Sequence, residues 1–132
     1  MHPSLSASMP AALADASAAT RMAWISVRAV AAATTVPIAE ELAFRGFLLR
    51  RLMAEDFETI PLARVTWPAL LGSSIAFGAL HGDRWIAGTL AGLLYGFAAA
   101  HRGRLGDAVI AHAATNALLA VYVLFCNQWQ LW

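Results

Sequence analysis

Read for apolar and polar positions, the chain falls into four long apolar stretches separated by short polar breaks. Residues 65–80 carry no formal charge, and neither do 85–100 or 108–132 with a neutral histidine. Residues 21–53 make the first stretch, apolar over 22–27 and 29–39 with Arg28 between. None of these runs has the polar stripe at helical spacing that a water-facing helix requires. A spanning helix takes about 20 mostly apolar residues. The pattern predicts an all-α, polytopic transmembrane helical bundle of about four hydrophobic helices, over residues 21–53, 66–81, 85–101 and 108–126. A straight helix over 21–53 would run about 50 Å, more than the ~30 Å of a bilayer core. It must bend or extend beyond the core, and Pro37, which lacks an N–H, predicts a kink.

The breaks fit this reading. Residues 50–64 form the main polar loop, Gly82-Asp83-Arg84 a tight turn, and 102–107 the next loop. Trp67 near one helix start, and Trp129 and Trp132 after the last helix, suit membrane interfaces. Gly88, Gly92 and Gly96 form a one-turn ridge that predicts close helix–helix packing. Residues 1–20 are rich in Ala and Ser and lack the basic start of a signal peptide. They read as a poorly ordered lead-in to a membrane domain over 21–132.

Composition sharpens the picture. With 60% hydrophobic and 13% charged residues over 132 positions, the charged share is half the roughly 25% of a soluble domain. The length allows one domain. All nine basic residues are Arg and the net charge is +1, so no nucleic-acid surface is indicated. Arg50, Arg51, Arg64, Arg102 and Arg104 fall on one side of the membrane, Arg84 and Arg21 on the other. The positive-inside rule makes the five-arginine side cytoplasmic, with both chain ends opposite. Cys126, the single cysteine, makes no internal disulfide and reads as a small buried apolar residue.

The chemistry concentrates in Ala39-Glu40-Glu41-Leu42-Ala43-Phe44-Arg45-Gly46. Charges in an apolar helix are expensive and need partners. Glu41 and Arg45 are four apart with the acid first, the favourable order for an ion pair. Glu40 points about 100° away and has no partner nearby in sequence, which leaves it available as a general base. The later polar residues are His81 at the end of the second helix, and His112 with Asn116 one turn apart on the last. Counted at 1.5 Å per residue from the arginine-rich side, Glu40 lies about 18 Å deep and His81 about 21 Å. His112 and Asn116 lie only about 8 and 14 Å deep, a mismatch that tilt must absorb. His101 beside Arg102 reads as interfacial, and Arg28 is given no role.

The motifs Glu-Glu-x-x-x-Arg (Glu40, Glu41, Arg45), Phe-x-x-x-His (Phe77, His81) and His-x-x-x-Asn (His112, Asn116) resemble those of the CPBP family. That family comprises CAAX prenyl endopeptidases and bacteriocin-processing or immunity (Abi-like) relatives. Order, spacing and membrane setting match over about residues 31–126. The wording around Glu40, with the Trp-rich C-terminus, looks closest to exosortase-associated bacterial members. The resemblance implies an intramembrane endopeptidase in a bacterial cytoplasmic (inner) membrane. Glu40 and His81 would activate water, His112 and Asn116 would stabilise the oxyanion, and Glu41 and Arg45 would support the site. The implied partners are a peptide or protein substrate, the lipid bilayer and an exosortase-type sorting system. No cofactor is preferred. A zinc alternative remains open, with Glu40, His81 and His112 as ligands and Glu41 then serving as base. Family members usually carry further N-terminal membrane helices, so the chain reads as a fragment, a compact member or a domain from a fusion. The competing functions are a non-catalytic membrane immunity or scaffold protein of the same fold, and a small transporter or channel subunit.

Overall fold

The computed structural model describes residues 9–132, which divide into two units. One runs to Thr35 and takes in Ala113–Trp132; the other is Val36–His112. Every described element is helical and no strand occurs among the described residues, an all-α architecture as the sequence predicts. Among the described residues two helical stretches are long and apolar enough to cross a membrane, Ala18–Arg51 and Leu105–Cys126.

In the first unit a short helix, α1 (Ala11–Ala14), precedes α2 (Ala18–Ala33). The lead-in expected over 1–20 therefore holds two helical pieces within 9–20; residues 1–8 lie outside the described residues. Ser17 sets the start of α2, its Oγ accepting from the Thr20 N–H at 3.1 Å, the usual work of an N-cap serine. The helix ends at Thr34, three residues before Pro37, where the missing proline N–H breaks the ladder. The Thr34 hydroxyl donates to the Val30 carbonyl at 2.7 Å. Leu13, Val123 and Trp129 form the core of this unit, with Ile25, Leu119 and Trp132 against it. Trp129 is thus buried in this core. Cys126 is exposed in the last turn of its helix, against the expectation of burial. Arg28 has its guanidinium 5.4 Å from the centres of both the Trp24 and Trp132 rings.

The second unit begins with α3 (Thr35–Glu41), a π-helix over Leu42–Leu48 and α4 (Leu49–Arg51). The helices α5 (Trp67–Ala79) and α6 (Trp85–Arg102) follow, then the start of α7 (Leu105–Cys126). Pro68 falls in the first turn of α5, where no helical hydrogen bond is lost. The 13 residues of α5 span only about 20 Å. Helix α6 stops at Gly103, whose φ of +63° is left-handed and suits glycine. The Arg104 N–H then closes back on the Ala99 carbonyl at 3.0 Å.

The glycine ridge is where α6 meets α5. A Cβ on Gly92 would lie 3.0 Å from Ser74 Cα, and one on Gly88 would lie 2.9 Å from the His81 ring and 3.0 Å from Gly78 Cα. Backbones approach this closely only where side chains are absent. The core of the unit is Phe77, Tyr95, Ala99 and Ala108.

Candidate active site

The site grows from Glu41. Its side chain is fully buried, and Arg45, one turn on, is 1% exposed. Arg45 Nη1 donates to Glu41 Oε1 at 2.9 Å. An isolated charge in such a place is strongly disfavoured, so the two are present as a pair. Arg45 Nη2 donates to the Gly92 carbonyl on α6 at 2.7 Å. The guanidinium also lies 4.5 Å from the Phe77 ring centre and 5.5 Å from that of Tyr95, faces that attract a cation. Glu41 Oε2 and Arg45 Nε are buried with no hydrogen-bond partner among the described residues.

Glu41 Oε1 has a second donor. His112, 3% exposed, brings Nδ1 to 2.9 Å from it. A carboxylate accepts, so Nδ1 carries the proton. Nε2 then faces the other way and lies 3.8 Å from Glu40 Oε2. The depth count places His112 too shallow to meet the acids, yet it is the histidine that reaches both. Helix α7 starts at Leu105, three residues before the predicted start, and the depth count assumed an upright helix.

Glu40 differs from its neighbour. It is 29% exposed and makes no hydrogen bond among the described residues. One acid is thus locked and the other open, the kind of split that gives two carboxylates separate roles.

His81 sits just past the end of α5, exposed, with Nδ1 2.9 Å from the Phe77 carbonyl. A carbonyl only accepts, so Nδ1 is the donor and Nε2 of the neutral ring keeps a lone pair. Phe77 therefore serves its motif twice, through this carbonyl and through a ring 4.8 Å from His81. No hydrogen bond or ion pair among the described residues joins His81 to Glu40. Asn116 belongs to the other unit, where its Nδ2 donates to the Ala32 carbonyl at 2.8 Å.

The zinc set does not fit. Among the described residues no three His, Cys, Asp or Glu side chains converge as metal ligands, and Glu40, His81 and His112 are not gathered.

Tyr95 and Gly92, outside the three motifs, also contribute to the site. Tyr95 stacks on His112 with ring centres 4.6 Å apart and planes at 15°, and Gly92 supplies the carbonyl for Arg45. The signal was available: Tyr95 follows Gly92 by three residues and Gly88 by seven, so it shares the ridge face.

A protein-family profile described as type II CAAX prenyl endopeptidase Rce1-like matches residues 22–118. No curated protein and no solved structure gives a match. The matched stretch contains Glu40, Glu41, Arg45, His81, His112 and Asn116 and covers well over half of the chain, so this protein belongs to the type II CAAX prenyl endopeptidase Rce1-like family of membrane-embedded proteases.

Proposed function

We propose that the chain hydrolyses a peptide bond of a membrane-associated peptide or protein, with Glu40 as general base. The arrangement that carries this reading is Glu41–His112–Glu40: a ring held by a buried carboxylate at 2.9 Å, its far nitrogen 3.8 Å from an open one. That gap is too long for a direct hydrogen bond and suits a bridging water or substrate oxygen.

In the proposed reaction Glu40 takes a proton from water as its oxygen attacks the scissile carbonyl. Charge develops on the carbonyl oxygen. His112 donates from Nε2 to that oxygen while Nδ1 stays on Glu41. His81 offers the Nε2 lone pair to the attacking water. Asn116, one turn beyond His112 on α7, is the second oxyanion donor; the support for it is the His-x-x-x-Asn motif. Glu40 then returns its proton to the leaving amine, the C–N bond breaks, and the enzyme is restored. We read the chain as a multi-pass protein of a bacterial cytoplasmic membrane.

The test is reconstitution in vesicles with a prenylated C-terminal CAAX peptide and its unprenylated counterpart as probes. Glu40→Gln and His112→Ala should each lower cleavage by about 10²-fold or more, while Glu55→Gln in the polar loop retains it. Full cleavage by Glu40→Gln would overturn Glu40 as the base, and no cleavage by the unaltered chain would favour a non-catalytic immunity or scaffold role instead.

A further inference from the structure

Away from the acid–histidine cluster, the Val36–His112 unit carries a groove of about 670 Å³ along the C-terminal half of α6. Its lining changes character from one end to the other. Leu94 and Phe97 give an apolar wall, and both are exposed, at 67% and 47%. His101, Arg102 and Asp107 form the polar mouth where α6 ends and α7 begins.

The mouth carries one guanidinium and one carboxylate, Arg102 and Asp107. Arg102 is 62% exposed, and its Nε lies 3.8 Å from Asp107 Oδ2. Among the described residues the Arg102 guanidinium makes no hydrogen bond. Asp107 opposes an anion, but it faces the Nε edge of the guanidinium and leaves the terminal nitrogens to a ligand. The next loop adds charge: a Cβ on Gly103 would lie 3.3 Å from Ala63 Cβ, so exposed Arg64 and Arg104 flank this contact. Arg50 on the same unit contrasts with these, its nitrogens donating to the Gly46, Glu58 and Ile60 carbonyls.

An apolar groove that ends in one guanidinium, Arg102, with Arg64 and Arg104 on the adjoining loops, complements one kind of molecule, an acyl chain with an anionic head. Arginine forks match phosphate oxygens, and basic pockets at the ends of membrane helices take anionic headgroups. We propose that this groove binds one anionic phospholipid, its phosphate on Arg102 and an acyl chain along Leu94 and Phe97. The inference does not depend on the proteolytic reading of Glu40.

Lipid retention by the full chain in detergent, followed by native mass spectrometry, tests it. The probes are phosphatidylglycerol and phosphatidylcholine with matched acyl chains. Phosphatidylglycerol should be retained at least tenfold more tightly, Arg102→Gln should erase that preference, and Arg102→Lys should keep part of it. Phe97→Ser should weaken both lipids. Equal retention of the two lipids by the unaltered chain would overturn the proposal, as would an unchanged preference in Arg102→Gln. Glycerol phosphate displacing the lipid as well as free phosphatidylglycerol does would reduce the groove to a simple phosphate site and overturn it too.

Discussion

Glu40 and Glu41 are chemically identical neighbours, and only their surroundings divide their work. Glu41 is enclosed by Arg45 and His112; Glu40 is open. The Glu41–Arg45 pair was legible in the four-residue spacing. Its further partners were not, because Gly92 and His112 lie far along the chain and reach the pair only through packing. Glu41→Gln should destabilise the fold by about 3 kcal/mol or more, since it strands a buried guanidinium. The double variant Glu41→Leu with Arg45→Met should recover most of that loss, as apolar replacements of buried pairs do, yet remain inactive because His112 has lost its Nδ1 acceptor. Unfolding midpoints read beside cleavage rates check both halves. A double variant that cleaves normally would show that the buried pair contributes only structure. Tyr95→Phe preserves the stacked face and should keep activity near that of the unaltered chain, whereas Tyr95→Leu should lose it and change the His112 ring ¹⁵N shifts.

At the scale of elements, the α5–α6 contact and the π-helix decide where the site residues stand. The glycine ridge announced close packing, and α6 does seat on α5 through Gly88 and Gly92. This approach puts the Gly92 carbonyl within reach of Arg45. The π-helix over Leu42–Leu48 had no sequence signal. Wider turns of this kind are rare and frequent at functional sites, and this one contains Arg45, held at its far end by α6. Gly92→Ala should cost about 1–3 kcal/mol through overpacking and reduce cleavage, since the added Cβ would also lie 3.2 Å from Arg45 Nη2. Gly106→Ala on α7 is the matched control: nothing lies within 4 Å of its Cβ position. It should leave stability unchanged or raise it by up to about 1 kcal/mol through helix propensity. Thermal unfolding of the two variants separates packing from propensity.

The molecule as a whole shows the surface expected beside lipid. Ile110, Leu118 and Phe125 on α7 are 68%, 70% and 86% exposed, a display that water-facing helices avoid. Within the Val36–His112 unit, Trp67 meets Phe97 with ring centres 5.8 Å apart, and the loop at Ala63 meets that at Gly103. The polar loop and the α6–α7 loop thus share one end of the α5–α6 pair, as the arginine distribution anticipates. In a Cys126→Ser background, Glu55→Cys and Arg104→Cys should react with a membrane-impermeant thiol reagent from the cytoplasmic side, and Asp83→Cys from the opposite side. Labelling of Glu55→Cys and Asp83→Cys from the same side would contradict the multi-pass arrangement.

The sequence by itself determined the helical class, the positions of the breaks, the Glu41–Arg45 pair and the family motifs. These rest on local properties: apolar run length, proline and glycine backbone chemistry, and four-residue helical spacing. Tertiary structure decided what local properties cannot carry. It set the pairing of His112 with Glu41 and its approach to Glu40, the Tyr95 stack, the carbonyl that receives Arg45, and the groove that ends at Arg102. Each depends on helix tilt and on the closeness of two backbones, which are fixed by side-chain packing between distant segments and leave no period in the chain.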